Sequence, residues 1–490
     1  MKAKSRVQPV VSAPSVSIFQ SIPWPRIFAG LFGAFLGLAL IKFGNPVILD
    51  RFVDAPPEKL VSLERGFAAN PELLSPSSNP DASAVLYEPW PVSRGLWILG
   101  GLLLVGLKMG RWQPPMGRWI FASAAVWLGW QLLASSQTAN PYLTRVTILH
   151  FLACAVCLFL GWHSLSRVQR LWPFWTALII GLWLVFWQGF AQHYGGLEET
   201  RQFIYAQPNW KDFSPEFIKR ITSGRIYSTL VYPNALAGAI LLLLPSVSIA
   251  LWRLSRRFGN VARGVLVGTL VYAGLACLIW SGSKAGWLIA LGLGLVLILS
   301  RPISRQIKWL VLAGILALGL SFFFIRYAGY FARGATSVSA RFDYWRAALQ
   351  TAASHPVLGS GPGTFSVSYR KIKKPESEMA RLAHNDYLEQ ASDSGIVGFL
   401  AYSLFIVGSL IFTYRRGLVQ KDGLRFAVWL GVLGWATQSL VEFGLYIPAL
   451  AWPAFTFIGW LLAGDRTQPP EAACANQPGR RRRQGYMNAE

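Results

Sequence analysis

The chain has 490 residues, 53% of them hydrophobic and 14% charged, with a mean hydropathy of +0.39. That composition excludes an ordinary soluble globular protein. Forty-six Lys and Arg against 22 Asp and Glu leave a formal net charge of +24, and 22 Trp suit a protein with interfacial aromatics.

Apolar runs near the 20 residues needed to cross a bilayer recur along the chain. A basic segment, 1–26, precedes a first span at 27–43. The KFGNP run at 42–46 offers no small-residue cleavage site, so this span reads as a retained anchor. A polar loop follows near 45–94, then spans at 95–107, 119–134, 146–162 and 171–190. A second polar loop covers 191–229. Four more spans lie at 230–251, 264–280, 285–299 and 307–327. A long polar interval, 328–395, separates these nine from three last spans at 396–414, 426–443 and 447–463, within 396–463. A basic tail, 464–490, closes the chain. The expected fold is an all-α polytopic membrane protein of about 12 transmembrane helices, with a large polar loop carrying short helices.

Charge sets the expected orientation. One set of loops holds Lys108, Arg111 and Arg118, then Arg167 and Arg170, then Arg253, Arg256, Arg257 and Arg263. It continues with Arg301, Arg305 and Lys308, then Arg415, Arg416, Lys421 and Arg425. The tail adds Arg466 and the four arginines at 480–483. The short loops of the other side hold only Arg145 and Lys284. This is a positive-inside pattern. It makes both termini cytoplasmic and puts the three long loops on the outer side. The arginine run at 480–483 reads first as a topology determinant and second as an anionic-lipid contact.

The interval 339–395 holds the densest set of chemically capable side chains. Arg341 and Trp345, four apart, share a helix face. The GSGPG run at 359–363 requires a tight turn. His384, Asn385 and Asp386 then open a second short helix. His384 is suited to general-base work as a neutral imidazole, with a plain surface histidine as the alternative. His150 reads as packed or hydrogen-bonded, and His355, before Pro356, as structural. Cys154 and Cys157 form a CxxC inside an apolar span with no partner pair and read as small core residues. Arg225 lies just before a span and Lys284 sits in a tight turn between two. Such charges are costly at a membrane end unless paired or functional, and an anionic phosphate or diphosphate suits them. No HExxH, nucleotide-binding loop or GxSxG elbow is present. The reading is chemistry without metal or cofactor and without nucleic acid, for which an undecaprenyl-type lipid diphosphate is a fitting partner.

The segment SARFDYWRAALQTAASHPVLGSGPGTF, followed by HNDYLEQASDSGIVGFL, resembles the signature region of the bacterial O-antigen ligase and polymerase superfamily. Support comes from SGRIYSTLVYPNALAGAILLLLP, from the SGSKAGWL turn and from the closing FGLYIPALAWPAFTFIGWLLAG. The resemblance covers roughly 225–464. It implies a metal-independent, inverting membrane glycosyltransferase that moves a glycan from undecaprenyl diphosphate to an acceptor hydroxyl at the periplasmic face of the bacterial inner membrane. It implies that Arg225 binds the donor diphosphate, that Arg341 adds a phosphate or structural contact, and that His384 takes the acceptor proton. Asn385 or Asp386 would orient His384, and Trp345 would stand with them at the substrate. Lys284 stands where the family has Arg, keeping the charge and losing the planar fork. The acceptor is lipid A core in the favoured reading, and a growing polysaccharide or a protein in its alternatives. A lipid-linked glycan transporter is the reading from another class. The absence of a repeat between the halves and the clustering of ionisable groups at one face speak against it.

Overall fold

Long apolar runs in a bilayer have no water to satisfy their backbones and so fold as helices. Helix and turn are the only regular structure among the described residues. The structure is a computed structural model and describes residues 24–49, 89–110, 115–206, 218, 222–332, 336–420 and 422–464. Most of the expected 1–26 segment and the 45–94 loop lie outside these residues, as do Cys474 and the arginines at 480–483.

In chain order the helices are α1 (Trp24–Lys42), α2 (Val92–Leu107), α3 (Arg118–Ala134), α4 (Pro141–Phe159) and α5 (Trp172–Ala191). They continue with α6 (Leu197–Tyr205), α7 (Pro233–Leu254), α8 (Asn260–Trp280), α9 (Lys284–Leu299) and α10 (Arg305–Ala332). The last five are α11 (Thr336–Ser354), α12 (Phe365–Ile372), α13 (Asp386–Arg415), α14 (Gly423–Gln438) and α15 (Pro448–Leu462). Each of the twelve expected spans falls on one of these. Seven helices among the described residues are long and apolar enough to cross a membrane, while α2, α9 and α15 are apolar but shorter. Length and apolarity therefore support a polytopic membrane protein without returning the full count of twelve.

Helix starts follow local chemistry. The Asn140 side chain accepts from the Tyr142 and Leu143 amides, with Pro141 in the first turn. Asp422 caps α14 in the same way. The centre of the bundle is α15, buried along its whole length. Its periphery is α10, where Leu318 and Ile325 are 76% and 79% exposed. An apolar face of that kind is stable against lipid and not against water. Helices α1 and α5 meet through glycines: a Cβ on Gly181 would lie 2.5 Å from the Gly37 Cα, the close approach that small residues permit in membranes.

The 339–395 interval becomes α11, a glycine turn, α12 and the start of α13. The second short helix and the span after it, both within α13, are set apart as expected by a non-helical break at Ser394 and Gly395, whose φ is 68°. The turn clamps onto that break: the Ser360 amide donates to the Ser392 carbonyl at 2.9 Å, and the Gly361 amide to the Asp393 carbonyl at 2.9 Å. Gly359, at φ +66°, has room for no Cβ, which would sit 2.4 Å from the Asp393 carbonyl carbon. Gly359→Ala should therefore lower stability by about 1–3 kcal/mol. Gly100→Ala, with nothing within 4 Å of the added carbon, should not. Thermal unfolding of the detergent-solubilised protein checks the contrast.

Candidate functional site

Five segments meet at one end of the bundle: the loop before α7, the start of α7, α11, the turn before α13, and the loop between α14 and α15. Glu442, in the last of these, bonds directly to the start of α7, α11 and the turn before α13, and its side chain is 6% exposed. Its Oε1 accepts from Arg341 Nη2 and from Asn234 Nδ2, the latter at 2.6 Å. Its Oε2 lies 3.1 Å from His384 Nδ1. Asn234 also uses its carbonyl, accepting from Arg225 Nη2 at 2.8 Å. Arg225, Asn234, Glu442, Arg341 and His384 are thus one connected polar unit.

Local sequence explains each placement. Arg225 Nε donates to the Ser281 carbonyl at 2.7 Å, so the SGSK turn between α8 and α9 holds it. Ser283 caps α9 and sets Lys284 in its first turn. The Lys284 ammonium lies 3.9 Å from the Tyr330 ring centroid and 5.1 Å from that of Tyr327, and it is within electrostatic reach of Arg225 and Arg341. Arg341 and Trp345 share a face of α11, as expected. Arg341 Nε donates to the Val441 carbonyl at 3.0 Å and Nη1 to the Ser337 carbonyl at 3.1 Å. With Nη2 on Glu442, all three of its nitrogens are engaged by protein, a geometry that suits holding Glu442 better than gripping phosphate.

His384 has φ +52°, uncommon for a residue with a Cβ. The surroundings hold it there. Trp345 Nε1 donates to its carbonyl at 3.4 Å. The Ala383 amide donates to the buried Glu389 carboxylate. The ring stacks 5.7 Å from Tyr344 and meets Phe443 edge-on at 4.8 Å. Asn385 and Asp386 do not orient the imidazole. The Asn385 side chain caps α13, accepting from the Tyr387 and Leu388 amides at 3.0 and 3.1 Å. Asp386, fully buried, accepts from the Leu445 amide at 2.8 Å. Trp345 likewise supports the backbone of His384. In this geometry Asn385, Asp386 and Trp345 bond to backbone, and the residue on the ring is Glu442. The other His384 nitrogen, Nε2, has no partner among the described residues.

His150 is buried, 2.7 Å from the Leu445 carbonyl, and Cys154 and Cys157 are buried free thiols. Among the described residues no group of three His, Cys, Asp or Glu is placed to hold a metal ion.

Residues 270–403 match the family model described as O-antigen ligase. This match supports a place in the O-antigen ligase superfamily. A Haemophilus influenzae protein described as uncharacterised is 26% identical over 160 residues, which cover 28% of this chain and 40% of that protein. The matched O-antigen ligase segment contains Lys284, Arg341, Trp345, His384, Asn385 and Asp386. Arg225, Asn234 and Glu442 lie outside it and reach the site only through the fold.

Burial pushes the Glu442 carboxyl up, but Arg341 and His384 beside it outweigh burial and hold it below the usual carboxylate range. A depressed carboxylate contributes stability above its unfolded pKa and loses it only as pH falls through the lower folded value. In Arg341→Gln the main opposing charge is gone, burial wins and the sign inverts: the ionised Glu442 becomes a cost that protonation relieves. The variant should be less stable than wild type by about 2 kcal/mol at neutral pH. That is below the value for a fully buried pair, because Arg341 keeps 17% of its side chain exposed. The deficit should shrink as pH is lowered towards about 5, as read by thermal unfolding across pH. A deficit that grows on acidification would contradict this account of Glu442.

Proposed function

We propose that the protein is an O-antigen ligase-type glycosyltransferase. It moves a glycan from undecaprenyl diphosphate to an acceptor hydroxyl, with lipid A core the favoured acceptor, at the periplasmic face of the inner membrane. The observation that carries this reading is an imidazole held through one nitrogen by a buried carboxylate, with its other nitrogen available, beside three cations. Glu442 on Nδ1 favours the tautomer in which Nε2 is the acceptor and stabilises the imidazolium formed when a proton arrives. His384 Nε2 takes the proton of the acceptor hydroxyl. The acceptor oxygen attacks the anomeric carbon opposite the diphosphate, the bond from that carbon to the phosphate oxygen breaks with its electron pair, and the anomeric centre inverts.

The leaving diphosphate gathers negative charge, and preorganised cations are the means to stabilise it. Arg225 is the chief candidate, because its Nη1 has no partner among the described residues while Nε and Nη2 fix the guanidinium. Lys284, a point charge over Tyr330, supplies a second contact. Arg341 serves as a positioning residue through Glu442. With side-chain cations in this role, the transfer is proposed to be independent of divalent metal. The loop charges support the twelve-span arrangement with cytoplasmic termini, which sets His384 on the periplasmic side.

Purified protein with an undecaprenyl-diphosphate glycan and lipid A core, in the presence of a chelator, tests the reading. His384→Ala, still folded, should lose about 10²–10⁴-fold in rate. Arg225→Ala should be comparably impaired, and Glu442→Gln should fall at least about 10-fold, because the amide cannot stabilise the imidazolium. Transfer that persists in His384→Ala sinks the base assignment. A wild type that only lengthens the donor glycan is a polymerase, and one that modifies protein alone is an oligosaccharyltransferase.

A further inference from the structure

The far ends of α7 and α14 enclose a second site. Helix α7 starts beside Asn234 and ends at Leu254, about 30 Å away at 1.5 Å per residue. At that end lies a cavity of about 740 Å³. Five arginines line it: Arg170 before α5, Arg253 and Arg256 at and beyond the end of α7, Arg416 after α13, and Arg425 in the first turn of α14. Asp422 is the single acidic residue among its described lining residues.

Asp422 is already committed. It takes Arg253 through both oxygens at 2.8 and 3.3 Å, and it accepts the Leu424 amide at 2.6 Å. Arg425 lies 4.7 Å from the Trp460 ring centroid and donates to the Gly464 carbonyl. Among the described lining residues no acidic group balances Arg170, Arg256 or Arg416, and Arg416 lies 5.7 Å from the Phe412 ring centroid.

Arginines at membrane ends are expected from topology alone, and on a convex surface each is simply solvated. A recess is different. Like charges brought in from separate segments repel, and a cleft lined by one sign concentrates the opposite ion. The walls between the arginines are apolar and aromatic, with Trp172, Trp175, Leu254 and Trp460. Trp172 is 54% exposed, as befits a ring at a membrane interface. A bare phosphate would leave those rings unused. An anion that carries an apolar body uses both.

We propose that this cavity binds the headgroup phosphate of an anionic phospholipid from the leaflet opposite the His384 site. Arg170, Arg256 and Arg416 grip the phosphate, and the tryptophans pack on the glycerol and first acyl carbons. Arginine suits the task because its planar fork takes two phosphate oxygens at once. The site is separate from the glycosyl-transfer reading and does not depend on it.

The test uses the full-length protein, delipidated in detergent and titrated with dioleoyl phosphatidylglycerol, dioleoyl phosphatidylcholine and inorganic phosphate. Native mass spectrometry counts bound lipid, and thermal unfolding reads stabilisation. Wild type should retain phosphatidylglycerol over phosphatidylcholine. The triple variant Arg170→Gln, Arg256→Gln, Arg416→Gln should bind it at least about tenfold more weakly. A control triple, Arg118→Gln, Arg305→Gln, Lys308→Gln, removes the same charge outside the cavity and should bind as wild type does. If the cavity triple does not fold, Arg256→Gln and Arg416→Gln singly should each weaken binding about fivefold. Equal loss in the control triple would reduce the effect to general membrane electrostatics and overturn the site. Inorganic phosphate that stabilises wild type as well as the lipid does would overturn the lipid assignment, as would equal retention of phosphatidylcholine.

Discussion

Everything at the candidate site depends on one buried carboxylate. Glu442 accepts from Arg341 and Asn234 with one oxygen and meets His384 with the other. A carboxylate taken out of water is tolerable only when charge and hydrogen bonds replace its hydration. Meeting that demand draws five segments together. Asn234 passes the constraint on to Arg225, and Arg341 also ties α11 to the Val441 carbonyl. The geometry of the His384 end follows from satisfying this one charge.

A second row of carboxylates works on the backbone rather than on side chains. Asp386, Glu389 and Asp393 lie along one face of α13, and all are fully buried. Asp386 holds the Leu445 amide, Glu389 the Ala383 amide and Asp393 the Gly363 amide at 2.6 Å. Tyr446 adds a hydroxyl to Asp393 at 2.9 Å. Each acid therefore pins a different loop: the one after Glu442, the one before His384 and the glycine turn. Amide donors aimed at a carboxyl oxygen are directional. They explain how a histidine at φ +52° keeps its place without secondary structure around it.

The interval around 339–395 was legible in the sequence because its signals are local. Glycine density, the four-residue spacing of Arg341 and Trp345, and a histidine in a polar stretch all act over a few residues. Arg225 and Lys284 were legible as charges at membrane ends, where a charge needs a reason. Glu442 carried no local signal of this kind. Its partners are 58 residues away in His384 and 208 away in Asn234. Neighbourhood in sequence pointed instead to Asn385 and Asp386, but at a helix start successive side chains diverge. Asn385 turns back to cap its own helix, and Asp386 turns into the core. Gly395 was legible as a boundary because its signal is local, and the backbone does break there, with the glycine turn packed against the break.

The two ends of α7 and α14 treat arginine in opposite ways. At the His384 end, protein acceptors occupy all of Arg341 and two nitrogens of Arg225, so the groups are fixed before any substrate arrives. Fixed dipoles and charges stabilise a developing anion without the cost of reorganising. At the other end one aspartate answers one of five arginines, and aromatic rings take the place of further acceptors. That arrangement leaves the positive charge facing outward into a recess, where a resident anion completes it. In the proposed transfer the diphosphate leaves after each turnover, a demand that suits cations held rigid and partly neutralised. A lipid headgroup has no need to leave, and a site with excess charge and apolar walls suits a permanent occupant.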